Sequence, residues 1–101
     1  MTQTERIIMM EEYLDSTDKA LNDLEKALDA YMSAREKIKA LDAYYGSQEW
    51  FDDLRDDEEG RLPADLKRGV LSEDGIYDVL MKDKELPVRM LECAAEILKN
   101  Q

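Results

Sequence analysis

Histidine is absent from this chain. With it go the commonest general base, the Ser-His-Asp and Cys-His nucleophile arrangements, zinc sites of the HExxH kind and the ExxH signature of di-iron helical bundles. Cysteine occurs once, at Cys93, so an intrachain disulfide is impossible and one chain cannot build a zinc or iron–sulfur cluster. The four glycines and two prolines all fall between residues 46 and 87. They are too scattered to cradle a phosphate, and they leave long uninterrupted stretches on either side, the punctuation of a few long helices. No apolar run approaches the ~20 residues needed to span a bilayer. The opening residues, Met1 to Arg6, do not read as a secretion signal, so a cytoplasmic location is the expectation.

Charge is plentiful. Charged residues make up 39 % of the 101 residues and apolar ones 44 %, with a net charge of −11. Such a field repels nucleic-acid phosphate and anionic membrane surfaces and attracts a basic protein surface. The expectation is therefore no nucleic acid and no membrane among the partners. The excess is uneven: residues 46–60 hold seven acids and one base, so over half of it sits on one short segment. A length of 101 residues predicts a single domain, residues 1–101, with a thin margin of stability unless helices pack well or copies associate.

Apolar residues recur at alternating steps of three and four along the first segment: Ile7, Met10, Leu14, then Leu21, Leu24, Leu28. This predicts an amphipathic helix over residues 5–45, roughly 60 Å long at 1.5 Å per residue, with Thr2 and Glu5 as a capping box and Thr4 as a rival N-cap. Thr17 and Arg35 fall on the stripe where Leu would be expected. Ala20, Ala27, Ala34 and Leu41 flank it at seven-residue intervals, so the stripe is wide enough to touch two neighbours.

Gly46 and Ser47 end this helix and cap a second, short and acidic, over residues 48–59. Gly60 closes that helix. An ordered connector, residues 60–72, follows, with Leu62, Leu66, Val70 and Leu71 packed, Pro63 fixing one backbone angle, and Gly60 and Gly69 as left-handed positions. Ser72 caps the last helix, residues 73–99, whose apolar phase survives Pro87. One helix kinked near 87 is expected rather than two. The fold is thus predicted as all-α: an antiparallel helical hairpin of two long helices, with the short acidic helix and the connector between them. Leu21, Leu24, Leu28, Ile38, Leu80 and Leu91 are its expected core.

The central stretch carries a resemblance. Tyr44-Tyr45-Gly46-Ser47 with Trp50, Asp56-Asp57-Glu58 with Gly60, and above all the run from Leu62 to Tyr77 (LPADLKRGVLSEDGIY) resemble a family of short bacterial proteins known only as a domain of unknown function. The similarity extends from about Glu5 to Leu98, and Pro87 departs from the pattern. The resemblance implies an all-α bacterial cytosolic protein and brings no chemistry with it.

Candidate chemistry is sparse. Asp52 with Asp56, and Asp53 with Asp57, share a helix face at i,i+4 and are the only candidates for a divalent cation. The plainer reading is a solvated face relieved by Arg55, Arg61, Lys67 and Arg68. No EF-hand order is present and no cofactor is implied. The aromatics cluster: Tyr44, Tyr45, Trp50, Phe51 and Tyr77 read either as a core plug or as an exposed platform. Trp50, Lys67, Arg68 and Tyr77 are the candidate partner-binding residues. Cys93, one turn from Met90 and Ile97, reads as packed.

Two functions follow. The first is a non-enzymatic interaction or self-associating module, whose partner is another protein or a second copy, most simply as a dimer. The alternative is an acidic decoy or regulator that binds a basic protein surface. A carboxylate-only metal enzyme is a distant third.

Overall fold

A computed structural model describes residues 1–101. The chain is all-helical: α1 (Gln3–Ser33), α2 (Arg35–Tyr44), α3 (Gln48–Glu58), a 3₁₀ turn (Gly69–Leu71) and α4 (Glu73–Lys99). It divides into two compact units, Met1–Arg35 and Glu36–Gln101.

The first unit is α1 with two residues on either side of it. Of the two threonines that could cap the helix, Thr2 does so and Thr4 does not. The Thr2 hydroxyl oxygen accepts the Glu5 N–H at 3.1 Å and donates to the Glu5 carboxylate at 3.0 Å. Such a cap stabilises a helix by about 1 kcal/mol. The expected helix over 5–45 is interrupted at Ala34, where ψ opens to −7°. The Ala34 N–H is shared between the carbonyls of Ala30 (3.0 Å) and Tyr31 (3.1 Å), a tightening of the last turn toward 3₁₀ geometry. The break adjoins Arg35, the charged position in the stripe. Its guanidinium turns back over the Tyr31 ring, 5.5 Å from the centroid, and donates to the Tyr31 hydroxyl at 3.3 Å.

No residue of α1 is buried. The expected core is corrected here: Leu21 is 58 % exposed, Leu24 57 % and Leu28 39 %, and on α4 Leu91 is 73 % exposed. Ile38 is half-buried. Of the six residues expected inside, only Leu80 is buried. A periodic stripe states which face of a helix is apolar, but not that anything lies against it.

The core of the second unit is smaller and lies elsewhere: Trp50 from α3, Leu71 from the 3₁₀ turn, and Ile76 and Leu80 one turn apart on α4. The 3₁₀ turn packs against both α3 and α4. Trp50 Nε1 donates to the Val70 carbonyl at 2.9 Å, so the indole satisfies the turn's backbone while burying its rings. Tyr45 and Phe51 meet it edge-on, with centroids 5.0 and 5.1 Å away.

Helix ends follow their residues. Gly46 (φ 81°) and Gly60 (φ 71°) take the left-handed conformation, which side chains with a Cβ rarely adopt. Ser47 accepts the Trp50 N–H at 3.2 Å, and Ser72 accepts the Gly75 N–H at 3.4 Å. Gly69, expected as a left-handed position, has no positive φ; it opens the 3₁₀ turn instead. α4 runs unbroken from Glu73 to Lys99 with Pro87 inside it.

Candidate functional site

The four aspartates of α3 are each held by a different donor. Asp52 accepts from Gln48 (2.9 Å) and Arg55 (2.8 Å), Asp53 from the Tyr44 hydroxyl (2.6 Å), and Asp56 from Arg61 (3.2 Å). Asp57 pairs with Arg68 Nε. The Gln48 amide is the main reason the Asp52 carboxyl titrates below its usual range, with Arg55 adding to it. Burial pushes the Tyr44 hydroxyl up to about 12, assisted by the hydrogen bond to Asp53 and the charges of Asp53 and Glu49. Burial likewise raises Tyr45, with the Glu73 carboxylate next in effect. No group of three or more carboxylates and thiols is placed to hold a metal ion, because these side chains turn toward separate partners.

The basic cluster acts inside the unit. Arg61 pairs with Asp56 and with Glu59, the latter at 2.7 Å. Arg68 reaches across the connector: its Nη atoms donate to the Pro63 and Ala64 carbonyls, while Nε lies against Asp57 as an ion contact without hydrogen-bond alignment. The connector is thus tied to α3 by charge, as the surplus of acids there suggests. Lys67 is exposed and makes no ion pair.

The four candidate binding residues therefore part company. Trp50 is 6 % exposed and belongs to the core, so it cannot present its face to a partner. Arg68 is half-buried and committed to the connector. Lys67 and Tyr77 remain exposed. Cys93, expected to be packed, is exposed, because the second half of α4 has nothing of its unit against it. Leu66 (46 %) and Val70 (40 %) are more open than a packed connector requires.

Lys67, Leu41, Gly69, Val70, Gly75, Ile76 and Val79 line a mainly apolar recess of about 380 Å³. Tyr77 is not part of it. The role of Gly75 is something the sequence reading missed. A Cβ on Gly75 would stand 2.7 Å from the Gly69 carbonyl oxygen, so this glycine lets two backbones approach. The sequence carried no clear signal for it, because glycine weakens a helix chiefly in its interior and Gly75 lies in the first turn, just after the Ser72 cap.

The larger surface is the stripe of α1, where Ile7, Met10, Leu14, Leu21, Leu24 and Leu28 are all exposed. No helix of the chain is long and apolar enough to cross a membrane. The family model described as a domain of unknown function, DUF4298, matches residues 7–93.

The chain belongs to the DUF4298 family.

The matched span takes in both the α1 stripe and the run from Leu62 to Tyr77 that carries the resemblance in sequence. In this DUF4298 chain that run is the connector, the 3₁₀ turn and the start of α4, the segments that build the core around Trp50. No curated protein and no solved structure matches the chain.

Proposed function

We propose that this DUF4298 chain is a non-enzymatic protein–protein interaction module, and that the apolar stripe of α1 is the surface a partner covers. The observation that carries this is the exposure of Ile7, Met10, Leu14, Leu21, Leu24 and Leu28 on a helix with no buried residue. A helix of 31 residues gains most of its stability in a protein from packing an apolar face, and soluble monomers rarely leave a contiguous apolar patch of this extent open. Absence of histidine, and α3 aspartates that are already engaged, support a binding role over catalysis. Those engagements also weaken the acidic-decoy alternative, since much of the α3 charge is answered within the chain. A cytoplasmic setting is part of the proposal.

A hairpin laying the stripe on α4, the arrangement expected from the sequence, would cover the same residues within one chain. Sedimentation equilibrium separates the two, since association gives a mass above 11.7 kDa. Association should persist in high salt, because apolar contacts are not screened, whereas decoy-type binding should fade. Leu21→Glu with Leu24→Glu should abolish association with a second copy or with a protein recovered from the native cell. Association unchanged in that double variant would refute the reading.

A further inference from the structure

Helix α1 carries acids on one shoulder of its apolar stripe only. In seven-residue repeats counted from Ile7, the first positions are Ile7, Leu14, Leu21 and Leu28, and the fourth positions are Met10, Thr17 and Leu24, then Tyr31. The residues just after the fourth positions are Glu11, Asp18 and Glu25. Those just before the first positions are Arg6, Tyr13, Ala20 and Ala27. All seven shoulder residues are exposed. When two such helices pair, the shoulders determine which orientation is tolerated.

In a parallel, in-register pair each acid shoulder faces the other shoulder of the second helix. Glu11 then stands opposite Arg6 of the second copy, Asp18 opposite Tyr13 and Glu25 opposite Ala20. The Arg6–Glu11 contact, made twice by the two-fold symmetry, attracts, and none of these contacts brings like charges together. An antiparallel pair with full overlap sets acid shoulder on acid shoulder: Glu11 against Glu25 and Asp18 against Asp18. Opposed like charges of this kind are destabilising. Thr17 points the same way. In register it meets a second Thr17, and each hydroxyl has a polar neighbour or a carbonyl one turn back. In the antiparallel pair it faces Leu21. The seam ends where Arg35, the next first position, would oppose itself, and there the helix is broken at Ala34 and Arg35 turns over Tyr31.

We propose that the α1 stripe is covered by α1 of a second copy, parallel and in register, with Arg6 and Glu11 pairing across the seam. This rests on the interaction reading above. It is tested on the full chain carrying Cys93→Ser, with a nitroxide placed at Lys19→Cys or at Ser33→Cys, both on the outer face. The expected result is a mass of two copies and the same interspin distance at both positions. An antiparallel pair keeps the Lys19 labels level but offsets the Ser33 labels by about 40 Å along the axis, and that pattern would overturn the proposal. A monomeric mass with no dipolar coupling would overturn it as well. If such a monomer still bound a different protein through Leu21 and Leu24, the interaction reading would stand without it.

Discussion

Replacing Gly75 by alanine sets two physical effects against each other within the first turn of α4. Intrinsic helix preference favours the substitution by up to about 1 kcal/mol. Space opposes it. The new Cβ would lie 2.7 Å from the Gly69 carbonyl oxygen, well inside the ~3.5 Å at which non-bonded heavy atoms sit comfortably. The obstructing atom cannot swing aside, because it is backbone and accepts the Ser72 N–H at 3.2 Å. Moving it loosens the 3₁₀ turn that carries Leu71 into the core and offers the Val70 carbonyl to Trp50. Overpacking of this kind costs typically ~1–3 kcal/mol; the middle of that range, about 2 kcal/mol, less a propensity gain of about 1 kcal/mol, leaves an expected net loss of about 1 kcal/mol. For a domain this size that lowers Tm by roughly 4–8 °C per kcal/mol. The assay is thermal unfolding followed by far-UV circular dichroism and by Trp50 emission, with Gly69→Ala as the control. Gly69 has nothing within 4 Å of its would-be Cβ and no positive φ, so that variant should melt close to wild type. A Gly75→Ala protein as stable as wild type, or more so, would refute the argument.

Leu80→Ala should cost ~2–5 kcal/mol as a buried truncation, whereas Leu91→Ala, 73 % exposed, should leave the melting curve nearly unmoved. Arg68→Ala should destabilise by about 1–2 kcal/mol, because it frees the connector carbonyls and Asp57, while Lys67→Ala should fall within about 0.5 kcal/mol of wild type; urea unfolding of both checks the contrast. The Tyr44 hydroxyl has its pKa raised from 10.0 to about 12, so it favours the folded state fully below pH 10 and loses that contribution as pH climbs from 10 to 12. Tyr44→Phe should flatten the fall in stability across that window, and an unchanged alkaline melting profile would show that Tyr44 is not its source.

Local features were legible in the sequence because local chemistry decides them. Thr2, Ser47 and Ser72 each have the one side-chain oxygen that reaches an orphan N–H at a helix start. Gly46 and Gly60 supply the left-handed turn that stops the preceding helix. The acids of α3 lie beside Arg61 and Arg68 in the chain, so their pairing could be anticipated. Absence of histidine excluded most catalytic arrangements before any coordinate was known, and the run from Leu62 to Tyr77 was enough to suggest the family.

What the sequence could not decide was which apolar face has something against it. Leu24 and Leu80 occupy the same kind of position in the same kind of stripe. One is exposed and the other buried, because the 3₁₀ turn lies over the first two turns of α4 and nothing in its unit lies over α1. Periodicity is a property of one helix, whereas burial is a relation between two. The same distinction separates Trp50 from Phe51, adjacent aromatics of which the first is buried and the second exposed. It also explains Gly75, whose necessity is visible only once the Gly69 carbonyl, six residues back, is seen to fold against it.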